Sequence, residues 1–308
     1  MFLLFCLAIL NGAATPIQTA ANNKLRFQLG SPFLASLINC SVGVSCLILA
    51  NLITGNFCLP QDVFSTTPLW TWSGGLMGVF ILVIAIVLMN HLGGLKTVLI
   101  TMTGMILTGI ILDHFALLNV PHHPFDLNRA IGLCCVILGI TLVFKLPQLI
   151  KSGQKFNFKL SEICLYPLGL FSGSLMTLQS AINAILSVKL NSLILTALFC
   201  MSLSLVLFFC IGFCTKPGLK PLLQLKVKGQ YWILCGGACG AFFILGNAFL
   251  IPLLGASAVS ILCITGQLSC GLIIDHFGLL SAKQRRAQFS QILGLTIILL
   301  GIIFIRLL

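Results

Sequence analysis

Gly104-Met-Ile-Leu-Thr-Gly-Ile-Ile-Leu-Asp113-His114-Phe115-Ala-Leu-Leu118 returns 162 residues later as Gly266-Gln-Leu-Ser-Cys-Gly-Leu-Ile-Ile-Asp275-His276-Phe277-Gly-Leu-Leu280. An apolar stretch that closes twice on Asp-His-Phe, half a chain apart, marks a duplicated unit. The register extends outward from it. At the same offset Trp70, Gly74, Gly75, Gly78, Gly93, Gly132 and Gly139 meet Trp232, Gly236, Gly237, Gly240, Gly255, Gly294 and Gly301. One residue out of step, Gly12, Gln18, Ala20, Asn22 and Ser31 meet Gly173, Gln179, Ala181, Asn183 and Ser192.

Composition fixes the solvent of this duplicated chain. Of its 308 residues 58% are hydrophobic and 7% charged, where a soluble domain carries roughly a quarter charged residues. Spans of about 20 apolar residues without an alternating barrel pattern predict an all-α integral membrane protein. The net charge of +12 does not point to nucleic acid, because the basic residues stand singly or in small groups between apolar spans. They read as topology signals and contacts to anionic lipid. The 14 cysteines lie mostly inside spans, with Cys210/Cys214 and Cys235/Cys239 at helical spacing, and read as small buried hydrophobes.

Five spans are expected in each half: about Phe2 to Ala21, Phe33 to Thr54, Trp70 to His91, Leu95 to Leu112 and Arg129 to Phe144, then Glu162 to Leu186, Leu193 to Cys214, Tyr231 to Leu253, Ala256 to Ile274 and Phe289 to Ile305. The organisation is repeat 1 over residues 1–147, a lysine-rich linker over 148–161 and repeat 2 over 162–308. The first span resembles a signal peptide, yet it lacks a basic n-region and its Gly-Gln-Ala-Asn pattern recurs deep in the chain, so it reads as a transmembrane helix. An odd number of spans per repeat inverts the second copy in the membrane. With both termini outside, 14 of the 17 Lys and Arg residues fall on the cytoplasmic side and only Arg129, Lys189 and Arg306 outside, as the positive-inside rule requires.

The Gln-x-x-x-Asn pair of the first and sixth spans, the Gly-Gly-x-x-Gly start of the third and eighth, and the Gly266-Gln267 helix closing on Asp275-His276-Phe277-Gly278 resemble the YdcZ-type branch of the drug/metabolite transporter superfamily. The second repeat carries the fuller pattern, since the first has Met105 and Ala116 in place of Gln and Gly. Members are five-helix proteins that pair antiparallel or are fused into ten-helix chains, and they are described as bacterial inner-membrane exporters. The resemblance implies a secondary transporter in the inner membrane, with export favoured over uptake.

The chain holds five acids, Asp62, Asp113, Asp126, Glu162 and Asp275, none at the middle of an expected span. A proton/cation exchange built on a mid-membrane carboxylate is therefore disfavoured. The spans offer carboxamides instead, which donate and accept hydrogen bonds and suit a polar neutral or zwitterionic solute. Gln18/Asn22 and Gln179/Asn183 are i, i+4 pairs on one helix face each. They are expected near opposite membrane surfaces, where each pair would gate with an Asp-His: Gln18/Asn22 with Asp275/His276, and Gln179/Asn183 with Asp113/His114. Asn247 is a further substrate-contact candidate. Gln267, which has no counterpart in repeat 1, is the foremost one.

Bland readings stand beside these. Asp-His-Phe can cap and anchor helix ends, and the carboxamides can join helices. Glu162 suits the positive start of the sixth span. His114, His122, His123 and Asp126 share an outer loop but read as a stretch of suppressed positive charge, and no metal is expected. No enzyme motif or cofactor signature is present. The expected partners are a small-molecule solute and membrane lipid, and the expected unit is a monomer acting as a pseudo-dimer, with a higher oligomer left open. A lipid-handling, flippase-like or structural membrane protein is the alternative function.

Overall fold

A computed structural model describes residues 1–55, 62–144, 164–215, 218–225, 229–281, 284 and 286–306. The linker and Glu162 lie outside the described residues. Ten apolar helices carry the described fold: α1 Phe2–Leu29, α2 Pro32–Thr54, α3 Leu69–Gly93, α4 Lys96–His114, α5 Leu127–Val143, α6 Leu165–Lys189, α7 Leu193–Cys214, α8 Tyr231–Leu254, α9 Ala256–Phe277 and α10 Phe289–Arg306. Eight are long and apolar enough to cross a membrane; α5 and α10 are the shorter pair. At 1.5 Å per residue, the 17 residues of α5 reach about 25 Å, just under the hydrocarbon thickness of about 30 Å.

Local chemistry sets the helix ends in matched pairs. Ser31 and Ser192 occupy the same position of the two repeats, and each hydroxyl accepts the backbone N–H three residues on, at 3.5 and 3.2 Å, satisfying a free donor at the start of α2 and of α7. Gly93 (φ 76°, ψ 166°) and Gly255 (φ 82°, ψ 159°) break the backbone between α3 and α4 and between α8 and α9. Only glycine adopts this conformation without strain. Several helices outrun their expected bounds. α1 ends on Gly30 in the left-handed conformation, its N–H donating to the Arg26 carbonyl at 2.9 Å.

The two repeats interlock. Two pairs of equivalent helices lie side by side and antiparallel: Gly132 and Gly139 of α5 abut Gly301 and Gly294 of α10 in reversed order. Leu34 and Gly43 of α2 likewise abut Gly212 and Met201 of α7. Antiparallel equivalents mean that the pseudo-twofold axis lies across the helices, which is the inverted plan. The helices also exchange partners. α1 of repeat 1 packs on α8 and α9 of repeat 2, and α6 of repeat 2 packs on α3 and α4 of repeat 1.

At these crossings the chains touch backbone to backbone. A Cβ on Gly12 would collide with the Cys263 carbonyl, and one on Gly266 with the Ile9 carbonyl. The mirror set, Gly173 on Thr101 and Gly104 on Leu170, repeats the contact in the other half. Gly271, on the same helix as Gly266, has nothing within 4 Å of its would-be Cβ. Gly266→Ala should therefore lower stability by about 1–3 kcal/mol through overpacking, whereas Gly271→Ala should leave it unchanged or slightly raised. Thermal unfolding of the two variants in detergent checks this; equal midpoints would contradict the close crossing.

Candidate functional site

The inverted crossing leaves a chamber of about 330 Å³ between α1, α2, α3, α6, α7 and α8. Gln18 and Asn22 of α1, Asn39 of α2, Gln179 of α6 and Ser204 of α7 supply its polar lining; Met176, Met201, Phe208 and Phe243 supply apolar walls. Among the described residues no charged side chain lines it. Gln18 and Gln179 are repeat equivalents, so the chamber sits on the pseudo-twofold axis. Each lies over a glycine of the opposite repeat's third helix. A Cβ on Gly240 would stand 2.7 Å from Gln18 Nε2, and one on Gly78 would stand 3.2 Å from Gln179 Nε2. The glycines of the Gly-Gly-x-x-Gly starts thus make the room that the carboxamides occupy.

The paired carboxamides are held differently. Gln179 Nε2 donates to the Gly74 carbonyl at 2.7 Å, whereas Gln18 makes no side-chain hydrogen bond among the described residues. Asn22 accepts from Asn39 Nδ2. Its equivalent Asn183 is buried outside the chamber lining and donates to Cys200 Sγ at 3.6 Å. Of the sequence candidates, the structure brings Gln18, Asn22 and Gln179 into one chamber and leaves Asn183 behind its wall.

A second polar layer lies deeper. Asn11 Nδ2 donates to Asn247 Oδ1 at 2.9 Å, and Asn247 Nδ2 donates to Ser180 Oγ at 3.1 Å. Asn247, Ser180 and Ser260 line a space of about 10 Å³ that shares Met176 and Phe243 with the chamber. Along α8, Gly240, Phe243, Asn247 and Ile251 come in that order toward Gly255, so these two side chains separate the chamber from the inner layer. Gln267 lines neither space. It is half-buried on α9 with its Nε2 unpartnered.

Beyond the inner layer, past Ile251, lie a separate space of about 100 Å³ beside Leu118 and Val188 and the Asp113 contact. Asp113, buried at the end of α4, accepts the backbone N–H of Ala256 at 2.6 Å and of Ser257 at 3.0 Å, together with the Ser257 hydroxyl. The Arg129 guanidinium stands 4.0 Å away and donates to the His123 carbonyl at 2.9 Å. The carboxylate thereby occupies the positive start of α9. Asp275 is exposed at the opposite end of the bundle.

The two histidines do the same work. His114 Nδ1 accepts the Phe125 N–H and His276 Nδ1 accepts the Ala287 N–H, both at 3.0 Å. These bonds fold the following loop back on the helix end. Asp126 accepts the Arg129 N–H at 2.9 Å as the N-cap of α5. Among the described residues no group of three or more His, Cys, Asp or Glu could hold a metal ion.

Asn39, Met176 and Phe243 line the chamber without being among the site residues expected from the sequence. The spacing of Gly78 and Gly240 against Gln179 and Gln18 is the signal that could have located the chamber. On a background with native cysteines replaced, Gln18→Cys should react quickly with a charged thiol reagent and Asn247→Cys at least about tenfold more slowly, because local opening must first expose the inner layer. Equal rates would mean that Met176 and Phe243 do not separate them.

A family model described as "Putative inner membrane exporter, YdcZ" matches twice, over residues 3–142 and again over 164–304. No curated protein matches. Seven chains of solved structures match. One crystal structure aligns over 99% of this chain and 96% of its own at a TM-score of 0.70 and 14% identity, a likeness of fold alone.

Proposed function

The chain belongs to the YdcZ family of inner-membrane exporters, of the drug/metabolite transporter type, and from that premise we propose that the carboxamide chamber is its solute site, in a secondary transporter working by alternating access. One observation carries the reading: the chamber lies on the pseudo-twofold axis of an inverted repeat, and toward the Asp113 end it narrows to the space of about 10 Å³ beside Asn247. Inverted transporters place substrate at such an interface and rock the repeats around it.

The lining sets the solute class. Carboxamides and hydroxyls with aromatic and thioether walls suit a small polar or amphipathic organic molecule without net charge. An ion would be left in an apolar setting without a counter-charge. Lys24 and Arg26 follow Asn22 on α1, so the positive-inside rule puts the chamber's open half on the cytoplasmic side, with both termini outside. This is the side from which an exporter loads. An apolar groove of about 320 Å³ between α1, α7 and α8, lined by Leu7, Phe242, Phe249 and Leu250, favours the lipid-handling alternative.

A thermal-shift screen of the purified protein against polar metabolites, amphipathic drugs and short-chain lipids separates these readings, since a ligand of the native state raises its midpoint. A neutral polar or amphipathic hit is the expected result. Gln18→Leu should weaken that hit about tenfold by removing one hydrogen bond, with the ligand-free midpoint unchanged. A lipid hit insensitive to Gln18→Leu would favour the alternative.

A further inference from the structure

The two Asp-His-Phe ends are alike in sequence and unlike in contact, and the difference follows the pseudo-twofold axis. At one end Asp113 sits on the first amides of α9, and a Cβ on Gly109 would stand 2.8 Å from Ser257 Cα. A Cβ on Gly255 would stand 3.0 Å from the Asp113 carboxylate. The equivalents at the other end are Asp275, Gly271, Gly93 and the first amides of α4. There Asp275 is exposed and makes no hydrogen bond or ion pair among the described residues. The would-be Cβ atoms of Gly271 and Gly93 have nothing within 4 Å.

The parts at the open end are nevertheless in the same shape. Gly93 and Gly255 share one backbone conformation, so α4 begins with its amides presented as α9 does. The His276 and His114 bonds to the returning loop are equal in length, so both helix ends carry their aspartate on the same frame. The ring contacts His114–Phe115 and His276–Phe277, at 4.6 and 4.7 Å between centroids, repeat that frame. What differs is the distance between two matched pieces.

We propose that Asp113 and Asp275 are alternate latches: Asp113 holds the α9 start in the state described here, and Asp275 takes the first amides of α4 when the chamber closes on its own side and opens on the other. This rests on the alternating-access reading above. It assigns the repeated motif its role, with aspartate as the latch and histidine as its mount. The two latches are unequal. The counterparts of Ser257 and Arg129 are Leu95 and Gln291, so the Asp275 latch lacks a hydroxyl donor and a guanidinium. Fewer charge-assisted contacts make it the weaker of the two, which accounts for the Asp113-latched state being the one observed.

Amide hydrogen exchange of the full-length protein in lipid nanodiscs tests this. In the parent chain, amides at residues 255–259 should exchange more slowly than those at 93–97. Asp113→Asn should speed the former and slow the latter, each by about tenfold. The gain at 93–97 should vanish in the Asp113→Asn/Asp275→Asn double variant, with the remaining helices protected as in the parent to certify folding. Protection at 93–97 that does not rise in Asp113→Asn, or that survives in the double variant, overturns the latch. The transporter reading is tested apart from this: reversal of exchange without solute movement in proteoliposomes keeps the latch and removes that reading, while solute movement without reversal does the opposite.

Discussion

Everything in this bundle depends on two places where helices meet without side chains between them. In lipid, apolar surface gains nothing by leaving its surroundings, so association relies on close van der Waals contact and on polar groups that bridge helices. Gly12 with Gly266, and Gly173 with Gly104, allow carbonyls of α1, α9, α6 and α4 to lie against the neighbouring backbone. Each contact joins one repeat to the other. The first helix of each repeat also packs within its own half, α1 on α2 and α6 on α7 and α8, but its closest backbone crossings are with the other repeat. The chamber follows from the same geometry, because close crossings at one level hold the flanking helices apart at the next.

The polar groups are placed with corresponding economy. Asn11 donates to Asn247 and Asn247 to Ser180 in the core, with Asn11 Oδ1 unpartnered, and Thr177 donates to the Met105 carbonyl across α6 and α4 at 3.0 Å. Asp113, the buried carboxylate of the spans, is met by two amides and a hydroxyl with Arg129 nearby. At the chamber wall Thr15 Oγ1 and Asn39 Oδ1 are unpartnered, and Gln18 makes no side-chain hydrogen bond among the described residues. Unpartnered polar atoms also lie away from the chamber, at Asn11 Oδ1, Asn183 Oδ1 and Gln267 Nε2, so it is the chamber's volume together with its free carboxamides that singles it out.

Much of the architecture was legible in the sequence. The duplication came from spacing, its inversion from the odd number of spans per repeat and the placement of Lys and Arg, and Gly93 and Gly255 already fell as a matched pair between expected spans, because glycine at a break is required by backbone geometry whatever surrounds it. The meeting of Gln18 with Gln179 was not legible. A span taken to end near Ala21 puts Gln18 at a membrane surface, whereas α1 runs on through Lys24 and Arg26 to Leu29 and brings Gln18 inward. The shift of α6 to Leu165–Lys189 does the same for Gln179. Gln267 stood out for lacking a counterpart, yet helix depth alone does not fix which face it occupies. The contrast between Asp113 and Asp275 was also beyond reach, since two equal sequences adopt unequal contacts only once a conformational state is chosen.

One departure from symmetry bears on how a solute would be read. Asn39 of α2 has as its equivalent Cys200 of α7, whose sulfur receives Gln179 at 3.8 Å and Asn183 at 3.6 Å. A molecule bound on a true twofold axis has two poses of equal energy, and a homodimer cannot distinguish them because every substitution appears on both walls. Here one wall carries a third carboxamide, while Cys200 is buried behind the other and lies outside the lining. On the proposed function, fusion of the repeats lets a single substitution break the degeneracy, so that a solute would be held head to one side and tail to the other, and the handedness of its passage would become a property the chain can tune one residue at a time.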